Sequence, residues 1–444
     1  MRKGKVGECL MANDTRDRTR ELQHKLYRAA KESPTRRFHA LYDKVHRADV
    51  LGRAWSEVAA NGGAPGVDGV SIAQVQEQGV EDFLDALRVE LETGCYRPLP
   101  VRRVTIPKAS GGTRNLGVPA VRDRVVQAAA KLVCEPIFEA DFLDCSYGFR
   151  PKRSAQQALE AIRVGVNGGR TWVVDADIAS FFDSIPREVL RSALAERISD
   201  RRMMKLLMGW LRAGVWTGET LLHPRTGTAQ GGVISPLMAN VVLHQLDRRW
   251  RQQHTRLGQI VRFADDLVIL SPTRERAEAA LATLTEILAE LGLSLAAAKT
   301  SLVDLRVPTA GFDFLGFHHR RVESFTRKGR YFLSRWPSQR SVRRFKDRLR
   351  ADTARRLLML PVEDVVRHLN RFLIGWRSYF RYGNSTTVFH DLDEFTMERL
   401  ARFISNKHGH HGRRYGLRVL IDHEGLGLVR LVGSVRHGPA HALR

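Results

Sequence analysis

Val261-Arg262-Phe263-Ala264-Asp265-Asp266-Leu267-Val268-Ile269-Leu270, the stretch VRFADDLVIL, is a run of strand formers with two adjacent carboxylates at its centre. An ionised carboxylate buried without a partner costs several kcal/mol or takes up a proton, and two side by side repel each other. The stretch is therefore either a turn at the surface or a place where something positive belongs.

Working outward, a second acid sits in a comparable setting. Asp177 ends the apolar run Trp172, Val173, Val174 much as Asp265 interrupts the other. Acids carried to one sheet edge from distant parts of a chain suit two-metal phosphoryl transfer. There, paired divalent ions about 4 Å apart activate an attacking hydroxyl and steady the leaving oxygens. Hard cations of this kind, Mg²⁺ above all, take carboxylate oxygens. The plainer alternative makes Asp265-Asp266 a common surface turn and Asp177 a strand-end residue.

The chain has 444 residues, enough for about three domains that each bury a core. Lys plus Arg number 72 against 48 Asp plus Glu, a formal net charge of +24. That excess favours a polyanionic partner, because cations that neutralise phosphates release condensed counterions. A membrane surface is the rival, but the sequence holds no long apolar span. Its start, MRKGKVGECLMANDTRDRTR, places charges where a signal peptide needs an apolar core. The expectation is a cytoplasmic nucleic-acid binder. Cys9, Cys95, Cys134 and Cys145 form no CxxC pair, and no histidine spacing completes a zinc site around them. His408, His410 and His411 lie in a Gly- and Arg-rich stretch that reads as a mobile basic loop rather than a metal site.

Residues 11–60 carry helical spacing, and Asn61 to Gly69 (NGGAPGVDG) breaks it as a loop. Short strands are predicted at Val101–Ile106 and Asn115–Val118, and helices at 121–140 and 154–164. TWVVDADIASFFDSI reads as a strand feeding a bend, with Pro186 in a first helical turn capped by Asp183 or Ser184. Helices are expected over 187–213, 235–254 and 275–292, and LSLAAAKTSLV returns to strand. The tail from 338 is Arg-rich and helical to about 382. Composition shifts at 320–340, where RKGR and SQR mark a domain boundary.

Three further stretches bear on chemistry. Thr228 to Leu237 (TAQGGVISPL) is a loop entering a helix, suited to an anion and to close approach, or else a plain loop with a serine cap before Pro236. Lys108 and Arg114 straddle a Ser-Gly-Gly turn, either closing over a triphosphate or simply solvated. Leu369, Phe372, Leu373, Trp376 and Phe380 form the apolar face of a helix, with Arg371, Arg377 and Arg381 largely off it. Those arginines and the preceding SVRRFKDRLR suit the shape- and backbone-based recognition of structured RNA. P-loop cradles and nucleophile elbows are absent from the sequence.

From about residue 38 to at least 385 the chain resembles the group II intron reverse transcriptase–maturase family. The blocks that carry the resemblance occur in the family's order. They are LGRAWSEVAANGGAPGVDG, YRPLPVRRVTIPKASGGTRNLGVP, SYGFRPKRSAQQAL, VDADIASFFDSI, GTAQGGVISPLMANVVL, RFADDLVIL, LSLAAAKTSL and GFDFLGF, followed by HLNRFLIGWRSYFRYGN in the thumb or maturase region. The resemblance implies an α+β right-hand polymerase with an antiparallel palm sheet and a mainly helical thumb. Its expected divisions are a basic extension at 1–37, fingers at 38–170, palm at 171–322 and thumb/maturase at 335–444.

It implies an RNA-directed DNA polymerase that binds its own intron RNA, assists splicing and copies the intron. Its partners would be that RNA, an RNA template, a DNA primer and dNTPs. Asp177, Asp265 and Asp266 fall on the catalytic acids that hold two Mg²⁺ ions. Adjacent strand residues face opposite sides, so Asp265 is expected to hold both ions and Asp266 to contribute less directly. Lys108 and Arg114 match residues that contact the triphosphate. Phe182 matches the bulky residue beside the sugar, which favours dNTPs. Gln230 and Gly231 match the loop by nucleotide and template, Lys299 a palm lysine, and Phe314, Leu315 and Gly316 the segment that holds the primer end. The sequence departs from the family pattern at Phe263 (commonly Tyr), Ala229 (Pro) and Ala179 (Lys). It also lacks the cysteines of an H-N-H nuclease before Arg444, so second-strand cleavage is not expected of it. The alternatives are a splicing-only maturase and a related enzyme recruited to defence or repair.

Overall fold

The computed structural model describes residues 3–107, 112–223, 226–227 and 231–436, with side chains from Arg18 onward. The expected site residues Lys108 and Gln230 lie outside these. Two compact units divide the chain. Met1–Arg153, Ala176–Leu267 and Ala279–Thr300 form one, and Ser154–Asp175, Val268–Glu278 and Ser301–Arg444 the other. The architecture is α+β, with antiparallel strand pairs and helices.

The first unit is built on the helix Val121–Glu139. Val121, Val125, Val126, Ala129, Val133 and Ile137 are buried, and burial extends round the whole helix, as it must when neighbours enclose it. Lys3–Glu32 and Ala48–Asn61 pack on it, and the latter buries Val50, Leu51, Ala54 and Val58. Gly62, at φ 56°, closes that helix in the left-handed conformation and opens the predicted NGGAPG loop.

The single helix expected over 187–213 is two, Arg187–Ala195 and Arg201–Arg212. Asp200 divides them. Its Oδ1 accepts from the amides of Arg202 (2.9 Å) and Met203 (3.0 Å), and its Oδ2 from Leu41 and Tyr42 (2.8 Å each). Burial pushes this carboxyl up, yet the amides hold it below the usual range. The expected cap on Pro186 also differs. Asp183 and Ser184 belong to a short helix of their own, Phe181–Ser184, and Pro186 is itself the N-cap of Arg187–Ala195.

A small sheet in this unit pairs Val101–Pro107 antiparallel with Thr113–Val118, from Arg102↔Val118 to Pro107↔Thr113. Its other edge takes Val215–Trp216 and Leu221–Leu222.

In the second unit, Trp172–Asp175 runs antiparallel to Ser301–Asp304. Gly311–Phe314, Phe317–Glu323 and Tyr331–Pro337 form an antiparallel meander, coinciding with the shift in composition at 320–340. The helix Ala155–Asn167, opened by a Ser154/Gln157 capping box, packs on Tyr331–Pro337. The tail is helical at Gln339–Asp352, Val362–Phe380, Thr386–Lys407 and Arg414–Asp422.

The apolar face predicted for Val362–Phe380 is the core of this tail. Leu369 and Leu373 are fully buried, and Trp376 meets Phe345, Phe380 and Phe389 at 4.8, 4.4 and 5.5 Å between ring centroids. Arg371 is exposed, whereas Arg377 donates to the Arg430 carbonyl at 3.1 Å. Among the described residues no helix is long and apolar enough to cross a membrane.

Candidate active site

Asp177 is the last residue of the strand Trp172–Asp177. Its carbonyl accepts from Ala296 N at 2.8 Å, Ile178 bridges Leu295, and Ala179 N donates to Ser294 O at 2.9 Å. Residues 294–296 are thus fastened beside the acid, and the 3-10 turn Ala297–Lys299 that follows delivers an ammonium to it. Lys299 Nζ lies 2.5 Å from Asp177 Oδ2, with the carboxylate 17% exposed and the lysine 68%. The hydrogen bond to Asp177 holds Lys299 above its ordinary value, and the charges of Asp266 and Asp265 add to it.

The opening stretch is a hairpin. Gln259–Phe263 and the strand that starts at Asp266 are joined by Ala264 and Asp265 alone. Ala264 sits at φ 58°, where a side chain is disfavoured. Arg262 holds that conformation. Fully buried, it spreads its guanidinium over three acceptors: Asp247 (Nε–Oδ1 2.9 Å, Nη2–Oδ2 2.5 Å), Asn240 Oδ1 (3.0 Å) and the Ala264 carbonyl (3.0 Å). Asn240 and Asp247 lie two turns apart on the helix Ser235–Arg249. Asn240 also donates to Gly148 O at 2.9 Å. Gly148 seals the turn from the other side, since a Cβ there would stand 2.4 Å from Ala264 N.

Asp265 is therefore a turn residue, not one of two alternating strand residues, and Asp266 is the exposed first residue of the next strand. The motif is a turn, and two cations, Arg114 and Lys299, act on Asp265. Burial raises the Asp265 carboxyl, the charge of Asp177 raises it further, and Arg114 and Lys299 pull it back. The fold thus brings Asp177, Asp265, Asp266, Lys299 and Arg114 within electrostatic reach of one another. Nearby, burial raises Asp183 against the charges of Arg103 and Arg114.

Phe182 is half-buried, with its ring edge-on to that of Phe181 at 5.5 Å. Gly231, at φ 117°, lies where a Cβ would come 2.5 Å from Gly117 O, so only glycine lets this loop touch the Thr113–Val118 strand. The loop is braced where Val233 N donates to Gln127 Oε1 at 2.9 Å. In the second unit, Leu315 (φ 49°) and Gly316 (φ 80°) form a two-residue hairpin turn after Phe314. Tyr379 donates to Leu315 O at 2.9 Å. Ser341 Oγ and Ser338 N donate to Gly316 O at 2.8 and 2.9 Å.

Sequence reasoning missed Arg262, Asn240, Asp247 and Gly148. One signal was available: a lone arginine inside an apolar strand must find buried acceptors. Which acceptors it finds depends on tertiary packing.

Among the described residues, no group of three or more His, Cys, Asp or Glu side chains is arranged to hold a metal ion. The donors themselves suit a hard divalent cation, being three carboxylates, one raised by its neighbour and one already holding an ammonium. A cation relieves that repulsion, and at Asp177 the ammonium of Lys299 does so.

Residues 106–319 match the family described as "Reverse transcriptase (RNA-dependent DNA polymerase)". Residues 342–419 match "Group II intron, maturase-specific domain". The chain is 35% identical over 370 residues to "Protein YkfC" of Escherichia coli, covering 74% of this chain and 95% of that protein. It is 35% identical over 214 residues to "Group II intron-encoded protein LtrA" of Lactococcus lactis subsp. cremoris, covering 48% of this chain and 35% of that one. A Schizosaccharomyces pombe protein, "Uncharacterized 91 kDa protein in cob intron", is 39% identical over 181 residues, 41% of this chain and 21% of its own length.

Proposed function

The chain belongs to the group II intron reverse transcriptase/maturase family, and from that membership we propose that it is an RNA-directed DNA polymerase that binds its own intron RNA, assists its splicing and copies it. The observation that carries the reading is that Asp177 and the adjacent pair Asp265 and Asp266, from two separate segments, all act on Lys299 beside a turn held by Arg262. A scaffold gains nothing from such repulsion.

In this reading Asp177, Asp265 and Asp266 hold two Mg²⁺ ions. When bound, those ions supply activation of the primer's terminal hydroxyl and stabilisation of the departing pyrophosphate. Arg114, on its strand edge, contacts the triphosphate. Lys108 and Gln230 are assigned alongside it by motif. Phe182 sets its ring against the sugar and excludes a 2′-hydroxyl. Gly231 keeps the loop close to the strand that carries Arg114, so that template and nucleotide share one edge. The Phe314–Gly316 turn contacts the primer end. The assigned regions are fingers at 38–170, palm at 171–322 and thumb/maturase at 335–444.

Primer extension on RNA and DNA templates with purified protein, beside splicing of a flanking intron, tests this. Replacing Asp265 and Asp266 together by alanine should abolish dNTP incorporation and leave RNA affinity nearly intact. Wild-type protein inert on every primed template, or a double variant that still extends primers, removes the polymerase assignment.

A further inference from the structure

The segment Arg327-Lys328-Gly329-Arg330 plays no part in the site above, and the structure gives it a form. It lies at the tip of the hairpin between Phe317–Glu323 and Tyr331–Pro337. The tip is a built turn. Ser324 N donates to Arg330 O at 2.8 Å, Arg330 N to Arg327 O at 3.1 Å, and Gly329 N to Glu323 Oε1 at 2.6 Å. Gly329, at φ 77°, supplies the left-handed residue the turn requires.

On this ordered tip Phe325 is 103% exposed, its ring touching nothing. A lone solvated phenylalanine needs no explanation by itself. Its neighbours are what single it out. From 320 to 331 the arm carries Arg320, Arg321, Arg327, Lys328 and Arg330 against Glu323 alone, and that carboxylate is taken up by the Gly329 amide. Arg320 and Arg321 lie over the rings of Trp336 and Tyr331 at 5.3 and 4.6 Å. Arg327, Lys328 and Arg330 are exposed and make no ion pair among the described residues.

We propose that this arm is a docking surface for single-stranded RNA, on which Phe325 stacks an unpaired base while Arg327, Lys328 and Arg330 hold the flanking phosphates. Three features select that occupant. An exposed aromatic and three exposed cations share one hydrogen-bonded tip, the pairing that binds unpaired strands without reading their sequence. Five cations against one acid on the arm favour a polyanion, whose condensed counterions they release. A duplex hides its base faces and offers the ring nothing to stack on. The choice of RNA rests on the function proposed above; the stacking of an unpaired strand does not.

The test is fluorescence anisotropy with full-length protein, a labelled single-stranded oligouridine and an RNA duplex of equal length, at raised salt. Phe325→Ala should weaken oligouridine binding about tenfold and leave duplex binding unchanged, and Phe325→Trp should restore it. Replacing Arg327, Lys328 and Arg330 together by Gln should flatten the salt dependence of log K for the single strand by about 2, at roughly 0.7 per phosphate released. Because these side chains are solvated, the melting temperature serves as a control and should not move. Unchanged oligouridine affinity in Phe325→Ala, an equal loss on duplex, or failure of Phe325→Trp to rescue overturns the arm. Primer extension is read separately. A wild type that extends primers with an indifferent arm keeps the enzyme and loses this proposal, and inert wild-type protein whose oligouridine binding depends on Phe325 does the reverse.

Discussion

Arg262→Lys asks whether the turn beneath Asp265 is held in place or merely tolerated. The left-handed Ala264 costs about 1–2 kcal/mol. The charged hydrogen bond from Arg262 to its carbonyl, 3.0 Å long, is worth about 1.5–3 kcal/mol. The two are of one size, so the bond decides the conformation. Lysine keeps a positive charge beside buried Asp247 and so avoids the roughly 3–5 kcal/mol of an orphaned partner. Its single ammonium cannot reach Asp247, Asn240 and Ala264 O together, and Asp247 takes it. With the carbonyl released, Asp265 shifts, and a displacement on the order of 1 Å costs about a hundredfold in rate. The expected result, from primer extension well below the melting temperature, is a kcat lowered roughly 10- to 100-fold with dNTP KM little changed. Half-saturating metal should rise, and the melting temperature should fall by only a few degrees. Gly148→Ala, which pushes a Cβ against Ala264 N from the opposite side, should give the same kcat-weighted loss with the guanidinium intact. Wild-type kcat in both variants would falsify the claim that the turn is held, and a loss that merely tracks unfolding would reduce Arg262 to a core residue.

Phe182→Ala should let ribonucleotides in, raising the ratio of rNTP to dNTP incorporation on the order of 10–100-fold; an unchanged ratio with lowered stability would make the ring a packing residue only. His319 is fully buried against Phe312, its nitrogens without partners among the described residues, and burial followed by the charges of Arg335 and His318 pushes it down to about 3. Its folded value lies below the ordinary 6.5, so it contributes nothing unfavourable above pH 6.5. As pH falls below that, the unfolded chain binds a proton the folded chain refuses, and stability drops by about 1.4 kcal/mol per unit until roughly pH 3. Denaturant melts of wild type and His319→Phe from pH 7 to 4.5 should diverge by about 2–3 kcal/mol at the acid end, the variant being the flatter; parallel profiles would refute the assignment.

What the sequence disclosed and what it hid divide along physical lines. Asp177 and Asp265 were visible because strand periodicity is local, and a carboxylate inside an apolar run stands out against it. The helical face of Leu369, Phe372, Leu373, Trp376 and Phe380 was visible for the same reason. The break at Asp200 was legible in principle, since an aspartate before a helical run is a cap signal, but apolar spacing continues on both sides of it and masks the boundary. Two things stayed out of reach. One is the acceptor set of Arg262, because Asn240 and Asp247 become its neighbours only when the helix Ser235–Arg249 packs beneath the hairpin. The other is the need for glycine at 148, which arises from an approach to Ala264 more than a hundred residues along the chain. The segment RKGR shows the limit of composition, since a hairpin tip and a domain boundary use the same residues.

The cations around the carboxylates fall into two kinds, and the difference explains how a repulsive cluster persists in a folded chain. Arg262 is buried and its guanidinium is spent on Asp247, Asn240 and Ala264 O. Its attraction for Asp265 is therefore a by-product, and what it supplies is geometry. Lys299 is largely exposed and tied to Asp177 by a single contact, and pairs of that sort are worth about 0–1 kcal/mol. It offsets charge at almost no cost of release. A fixed cation builds the turn, and a loosely held one pairs with Asp177; under the proposed function it is this second one that a divalent ion would displace. Were the roles exchanged, with a buried arginine locked onto Asp177, displacing it would orphan a charge at a cost of several kcal/mol, and the acid would be lost to divalent ions altogether.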